Sequence, residues 1–226
     1  CFINLKLKNT KQEDIFKFIS KFVTKSEFYL KKNFYKFGLV LGDRYEALMF
    51  AYLCTLKRIP LVHFQGGEAT YGAIDELHRH AITKMSSLHF VTCDKYKKRV
   101  ISLGERPSTV VNIGSMSGPA IKNYKFLNLK SLSSKFSFLK KKRPYMMVTF
   151  HPETYSKIKV SKQIEPMLSS LKNFNKYNFI FTSPNLDENG IKIKKIKKNF
   201  VRKRENCYYF DNLGHKDYLN LMKYSS

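Results

Sequence analysis

Apolar and polar residues alternate between two kinds of segment along most of the chain. Short apolar runs predict buried strands, and between them lie longer stretches in which apolar residues recur every three or four positions, as on one face of a helix. The predicted strands are 37–41, 60–64, 88–92, 109–113, 145–150, 177–182 and 207–210. The predicted helices are 11–32, 45–57, 75–85, 94–103, 160–173, 187–203 and 215–224. Strands and helices that alternate in this way predict parallel, doubly wound sheets and therefore an α/β fold.

Two halves of this alternation are separated by residues 115–143, which lose the periodicity and are rich in Ser and Lys. Pro119 lies near the start of this segment and Pro144 follows it, so we expect a short helix and then an interdomain linker. The predicted organisation is a Rossmann-like domain over 1–120, a linker over 121–143 and a second Rossmann-like domain over 144–226. The first domain lacks a strand before its first helix and the second stops before its remaining strands. Both are therefore expected to be incomplete.

The scarce acids and histidines of the chain gather around one turn, which contains the pair Gly66-Gly67 and follows the second predicted strand. Five of the seventeen acids lie within 43–76, and four of the six histidines lie within 63–89. Ligands of such sheets bind outside the carboxyl ends of the strands, where Asp43 and this turn are both predicted to lie. Carboxylates and imidazoles placed together favour proton transfer. Taken singly, each residue has an ordinary structural explanation as a tight turn or a helix cap.

The helix predicted after this turn has apolar residues at helical spacing, and we expect this stripe to be buried. The stripe consists of Ile74, Leu77, Ala81 and Met85. Charged residues on the other faces form i,i+4 pairs, namely Asp75 with Arg79 and Glu76 with His80. His78 and His80 are two positions apart and point in different directions on a helix, so no metal site is predicted.

Composition narrows the class of protein. The chain has 226 residues, 43% of them hydrophobic, and no apolar run reaches the roughly 20 residues that cross a bilayer. It starts at Cys1 without a signal-like segment, so we expect a cytoplasmic protein with no membrane partner. The four cysteines lack C-x-x-C spacing, which favours reduced thiols over disulfides or zinc. The net charge of +25 comes from lysines scattered over most polar faces, so nucleic acid is not predicted as a partner, whereas an anionic small molecule would suit this field.

Several motifs together resemble the hydrolysing UDP-N-acetylglucosamine 2-epimerases, which act in the synthesis of sialic-acid-type sugars. The matching segments are 42–46 (GDRYE), 63–68 (HFQGGE), 74–86 (IDELHRHAITKMS), 150–154 (FHPET) and 183–185 (SPN). The resemblance covers nearly the whole chain, and the combination of motifs is highly specific although a glycine pair or a His-Pro alone is not.

The resemblance implies a glycosyltransferase-B-like architecture, in which two Rossmann-like domains face each other across a cleft that holds the nucleotide sugar. It implies the conversion of UDP-GlcNAc and water to N-acetylmannosamine and UDP, by anti elimination and then syn addition of water, without a cofactor. Carried over by motif, the expected catalytic residues are Asp43, Glu68, Asp75 and His151. The expected substrate-binding residues are Arg44, Gln65, Gly66, Gly67, Arg79, His80, Ser183 and Asn185. Relatives of this kind usually pair, so a homodimer or homotetramer is expected at full length.

Gln65 departs from the family pattern, because many members have a carboxylate at this position and a glutamine cannot act as a base. The family's amino-terminal loop with a phosphate-contacting Arg and its carboxy-terminal Gly-Asn-Ser-Ser-type loop have no counterpart in the 226 residues, so this chain alone is expected to be inactive. Several alternatives stay open. They are a related hydrolysing enzyme acting on GDP-GlcNAc or a UDP-linked diacetamido-trideoxy sugar, a non-hydrolysing 2-epimerase, a glycosyltransferase of the same fold, and a basic RNA-binding module.

Overall fold

The computed structural model describes residues 3–5, 12–141, 143–153, 156–184 and 189–226. The chain divides into two units, Cys1–Asn123 and Tyr124–Ser226. Each unit has its own parallel sheet, which confirms the α/β class predicted from the alternation. Among the described residues, no helix combines the length and the apolar character that spanning a membrane requires.

Helices and strands of the first unit follow the predicted order with small shifts at their ends. They are α1 (Gln12–Lys32), β1 (Gly38–Leu41), α2 (Tyr45–Leu56), β2 (Leu61–Phe64), α3 (Ile74–Met85), β3 (Leu88–Val91), α4 (Asp94–Ser102), β4 (Val110–Asn112) and α5 (Ser117–Lys122). The strands pair in the sequential order β1-β2-β3-β4, and all pairs are parallel. A short 3-10 turn, Pro107–Thr109, leads into β4.

One face of this sheet packs against α2, α3 and α4. The core on this face is formed by Val40, Ala51, Cys54, Leu61, Ile82, Val91, Val100 and Val110. Alternate residues of β1 point to the other face, because side chains along a strand alternate sides. Leu39 and Leu41 on that face are 54% and 55% exposed.

The buried face of α3 differs from the predicted apolar stripe. Leu77 is 63% exposed and Ile74 is exposed as well, whereas Arg79, Ile82 and Thr83 are buried. The stripe prediction is therefore wrong for the first half of the helix. Polar side chains replace apolar ones on the inner face because Arg79 and Thr83 bond to groups at the ends of the neighbouring strands, as described below.

Strands and helices of the second unit also follow the predicted alternation. They are α6 (Leu129–Lys135), β5 (Tyr145–Val148), α7 (Val160–Leu171), β6 (Asn178–Thr182), α8 (Gly190–Arg202), β7 (Cys207–Phe210) and α9 (Gly214–Lys223), with a 3-10 helix at Ser137–Lys141. The strands pair in parallel in the order β5-β6-β7. Phe179 and Phe181 of β6 pack with α7 and α8 on one face, and Ile180 packs on the other face with Leu221 of α9.

The predicted linker 121–143 contributes to the core of the second unit. Leu132 of α6 and Phe138 of the 3-10 helix are buried beside Tyr145 and Ile180. This segment is folded because a few large apolar residues are spaced through its Ser- and Lys-rich sequence, and burying them stabilises it. The division between the units lies after Asn123, at the start of the region that was predicted to connect them.

Candidate active site

The register of the first sheet brings the ends of β1 and β2 to the same edge. Leu41 pairs with Phe64, and Phe64 pairs with Phe90. Just beyond these strand ends, the Gly42 N–H donates to the Phe64 carbonyl at 3.3 Å, and the Gln65 N–H donates to the Phe90 carbonyl at 2.8 Å. The segment that begins with Asp43 and the turn that contains Glu68 therefore leave the sheet side by side.

Arg79 of α3 connects these two segments. Its side chain is only 5% exposed, and its Nη2 forms an ion pair with Oδ2 of Asp43, whose side chain is 25% exposed. Nη1 donates to the Glu68 carbonyl at 2.8 Å, and Nη2 lies 3.2 Å from the Thr70 hydroxyl. One planar guanidinium thus fixes both strand exits, which a single ammonium could not do with the same geometry.

A second contact at the strand exits involves His63, a buried residue of β2 that belongs to the 63–68 motif but was not among the predicted catalytic or substrate-binding residues. Its Nε2 donates to the Gly42 carbonyl at 3.1 Å, and its Nδ1 lies 3.3 Å from the Thr83 hydroxyl. Because a carbonyl can only accept, Nε2 carries the proton of the neutral ring. Burial lowers the pKa of His63 to about 4, so the ring is neutral at pH 7. His63 therefore joins the end of β1 to α3 without adding charge.

Gly66 and Gly67 allow the turn to pack closely against two helices. A Cβ on Gly66 would lie 3.1 Å from Nδ1 of His63, and a Cβ on Gly67 would lie 2.5 Å from the Tyr96 carbonyl oxygen of α4. Gly67 also has φ of 80°, a left-handed conformation that favours glycine. Both glycines were predicted to bind the substrate, whereas their close packing within the chain already favours glycine at both positions.

Gln65 stands immediately before this pair and also has a left-handed backbone, with φ of 65°. Residues other than glycine rarely adopt this conformation, and where they do it often marks a functional turn. The side chain that replaces the family's carboxylate is thus carried by a strained residue at the exit of β2.

The first turn of α3 holds the remaining acids of this region. Glu76 accepts from the Thr70 N–H at 2.6 Å, and its Oε1 lies 3.6 Å from Nε2 of His80, as the predicted i,i+4 pair requires. Asp75 lies 3.9 Å from Nδ1 of His78. Within the described part of the chain, no group of three potential metal ligands is found.

Arg44, a predicted substrate-binding residue, pairs with Glu46 on the first turn of α2, with 3.2 Å between Nε and Oε2. This pair lies next to Asp43 in sequence. The charged contact that joins the two strand exits of the first unit is the ion pair of Asp43 with Arg79.

The second unit has a pocket of about 390 Å³ at the carboxyl ends of its strands and the start of α9. Its walls carry hydroxyl, imidazole, carboxylate and aromatic groups from Thr149, His151, Thr182, Ser183, Phe210, Asp211, Asn212, Leu213, Gly214, His215 and Tyr218. His151 and Ser183 were predicted from the motifs, while Asn185 and Thr154 lie outside the described residues. The pocket suits a polar ligand with a planar ring, because aromatic and hydrogen-bonding groups face it together.

Hydrogen bonds between side chains order this pocket. The hydroxyls of Thr149 and Thr182 lie 2.8 Å apart, and the Tyr209 hydroxyl donates to Oγ of Ser183 at 3.2 Å. Asp211 is held by Lys194 at 2.6 Å and Lys198 at 3.0 Å, and hydrogen bonds from these lysines lower the pKa of the Asp211 carboxyl.

The wall that β7 and α9 contribute was not predicted. The rule that ligands bind at the carboxyl ends of parallel strands would have pointed to Asp211, which directly follows the predicted strand 207–210, and to His215 and Tyr218 in the helix predicted after it.

Known proteins resemble this chain over both of its units. The UDP-N-acetylglucosamine 2-epimerase family model matches residues 2–226. A curated relative from Campylobacter jejuni subsp. jejuni, the GDP/UDP-N,N'-diacetylbacillosamine 2-epimerase (hydrolyzing), is 46% identical over 186 residues, which are 82% of this chain and 48% of the relative. Polysialic acid biosynthesis protein P7 of Escherichia coli is 40% identical over 198 residues, which are 87% of this chain and 50% of the relative.

A solved structure shows the same fold. The crystal structure of UDP-GlcNAc 2-epimerase from Neisseria meningitidis bound to UDP-GlcNAc superimposes with a TM-score of 0.77 at 17% identity, covering 98% of this chain and 60% of that one. This likeness confirms the predicted glycosyltransferase-B-like α/β fold. The chain spans about half the length of the curated relatives it matches. Since the family model matches almost every residue, the chain belongs to the UDP-N-acetylglucosamine 2-epimerase family.

Proposed function

We propose that the full-length protein carrying this chain is a hydrolysing 2-epimerase of a nucleotide-linked 2-acetamido sugar. The observation that supports this most is the ion pair of Asp43 with Arg79 at the strand exits of the first unit, in a chain of this family. A carboxylate held by a buried guanidinium at such an edge is a positioned acid–base group, which proton abstraction from a sugar carbon requires.

In the proposed reaction a carboxylate removes the proton from C2 while the bond from C1 to the diphosphate oxygen breaks. The electron pair of the C2–H bond forms the C1–C2 double bond, and the diphosphate leaves with the electrons of the C1–O bond. Water then adds across this double bond, with hydroxyl at C1 and hydrogen at C2, and the configuration at C2 is inverted. Asp43, Glu68 and Asp75 are the candidate acid–base groups for the two proton transfers, and His151 is a fourth candidate on the second unit.

We assign the nucleotide to the pocket of the second unit. Phe210 and Tyr218 offer aromatic surfaces for a base, and Thr149, Thr182 and Ser183 offer hydroxyl donors. The N-terminus of α9 forms one end of the pocket, and free N–H groups at a helix N-terminus favour phosphate oxygens. These groups suit a sugar linked to a nucleoside diphosphate, and the UDP-GlcNAc of the Neisseria structure makes a UDP-linked sugar the expected partner.

The relatives suggest which sugar the protein acts on. The name of the Campylobacter relative makes a nucleotide-linked N,N'-diacetylbacillosamine the first candidate substrate, and the ligand of the Neisseria structure makes UDP-GlcNAc the second. Both carry an acetamido group at C2, so the same elimination and hydration apply to each. Release of N-acetylmannosamine for sialic-acid-type synthesis corresponds to the second candidate.

Proton NMR of the full-length protein with each nucleotide sugar in deuterated water tests the proposal. We expect free nucleoside diphosphate and a released sugar that carries deuterium at C2. Epimerised nucleotide sugar without release would indicate a non-hydrolysing epimerase, and transfer to an added acceptor with C2 unchanged would indicate a glycosyltransferase. Either result, or the absence of turnover with every sugar in the panel, would overturn the proposal.

A further inference from the structure

Lys197 of α8 is a fully buried lysine in the second unit, with 0% of its surface exposed. Lysine is among the residues least often buried completely, because removing an ammonium group from water is costly unless hydrogen bonds replace its hydration. Its Nζ donates to the Thr182 carbonyl at 3.1 Å and to the Phe150 carbonyl at 3.3 Å. Burial lowers the pKa of Lys197 to about 8.

Each of the two carbonyls belongs to the peptide unit that precedes a pocket residue. The Phe150 carbonyl belongs to the peptide unit that leads into His151, and the Thr182 carbonyl belongs to the peptide unit that leads into Ser183. Both following residues line the pocket of the second unit. One ammonium group therefore bonds the last peptide units before two pocket residues that are far apart in sequence.

Lys197 reaches these peptide units from the helix α8, which packs on the face of β6 that carries Phe179 and Phe181. The pocket is lined by Thr182 and Phe210, and Phe210 packs with the core on the other face of the sheet. The ends of β5 and β6 are thus connected twice. The hydroxyls of Thr149 and Thr182 meet on the pocket side, and Lys197 bonds the carbonyls from the side of α8.

We infer that Lys197 is a positioning residue of this pocket, which fixes and polarises the peptide units that present His151 and Ser183. A cation bound to a peptide carbonyl also strengthens the N–H of the same unit as a donor, because bonds in a chain polarise one another. The consequence for ligand binding rests on the proposed assignment of the pocket to a nucleotide, whereas the effect on the two peptide units does not.

The test compares Lys197→Met, which keeps the length of the side chain and removes its donors, with two controls on the same helix in the full-length protein. Lys195→Met removes an exposed ammonium group. Ile193→Ala weakens the same core without touching the two carbonyls. The measurements are the amide ¹H and ¹⁵N chemical shifts of His151 and Ser183, hydrogen exchange at the Ser183 amide, and the Kd for UDP.

For Lys197→Met we expect amide shift changes concentrated at His151 and Ser183, faster exchange at Ser183 than in Ile193→Ala, and a Kd for UDP that is about tenfold higher. Lys195→Met should match the wild type in all three. Unchanged amide shifts at both residues, or equal changes in Ile193→Ala, would overturn the inference. A wild-type protein that binds no UDP would instead overturn the nucleotide assignment, and the amide measurements would still decide the role of Lys197.

Discussion

The guanidinium of Arg79 on α3 pairs with the carboxylate of Asp43, 36 residues earlier at the end of β1. The same guanidinium donates to the Glu68 carbonyl. A helix that follows β2 is thereby attached to the exits of both β1 and β2. This arrangement gives Asp43 a fixed position. It also makes the stability of the first unit depend on the buried charge of Arg79.

Replacing Arg79 by Met should lower the free energy of unfolding by about 3 kcal/mol, because Asp43 would lose its partner in a largely buried setting. Arg79→Lys should recover part of this loss, since an ammonium group keeps the charge but not the fork of donors. Urea denaturation followed by circular dichroism measures both values. Arg106→Met, at an exposed arginine of the same unit, should change stability by less than about 0.5 kcal/mol. Equal losses at Arg79 and Arg106 would show that the ion pair does not stabilise the unit.

Gly42 and Gly67, two left-handed glycines that follow β1 and β2, should respond differently to alanine. Gly42→Ala should cost about 1 kcal/mol, since a Cβ there meets no atom within 4 Å and only the strain of its φ of 84° remains. Gly67→Ala should cost clearly more, because its Cβ would also lie 2.5 Å from the backbone oxygen of Tyr96. Thermal and urea unfolding of the two variants compare the costs directly. Similar costs at both positions would mean that α4 moves away without penalty.

Much of this fold could be predicted from local pattern, because each strand is a short apolar run that ends at a turn. The apolar run at 60–64, for example, corresponds to β2 (Leu61–Phe64). The inner face of α3 could not be predicted in the same way. Arg79 and Thr83 are polar, and their burial depends on Asp43 and His63, which lie on other elements.

The candidate site shows the same limit. Asp43 and the turn with Glu68 were predicted to lie at the carboxyl ends of strands, and the structure adds that these strands, β1 and β2, are neighbours. His63 belongs to the gathered histidines and to the 63–68 motif, but its role in joining β1 to α3 could not be predicted, and Lys197 was not singled out at all. Both roles depend on carbonyls that lie on other elements, and local sequence carries no signal for such contacts.

His63 makes the stability of the first unit depend on pH. Burial lowers its pKa from the ordinary value of 6.5 to about 4 in the folded state. Above pH 6.5 the ring is neutral in both the folded and the unfolded states, and the full stability is present. As the pH falls from 6.5 towards 4, the unfolded state takes up a proton that the folded state does not, so about 3 kcal/mol is lost.

Urea denaturation of the wild type and of His63→Gln at several pH values between 4 and 7 measures this effect. The variant should be less stable at pH 7, because it loses the ring that joins the Gly42 carbonyl to Thr83, but its stability should fall less steeply on acidification. His89 is also buried and has a lowered pKa, and it is present in both proteins. Parallel profiles for the two proteins would contradict the role assigned to His63.

Asp43→Asn separates the chemical role of the carboxylate from its structural one. The amide oxygen can still accept from Arg79, so the unit should remain folded although the lost ion pair lowers its stability, and the group can no longer take a proton. In the full-length protein we expect turnover of the nucleotide sugar to fall by about 100-fold or more. The Kd for UDP should stay within about twofold, because the residues that line the nucleotide pocket all belong to the second unit.

Asp94→Asn, which removes an exposed carboxylate on α4, should retain wild-type turnover. If Asp43→Asn retains it as well, the acid–base role passes to another of the candidates, and the same assay on Glu68→Gln, Asp75→Asn and His151→Gln would identify which.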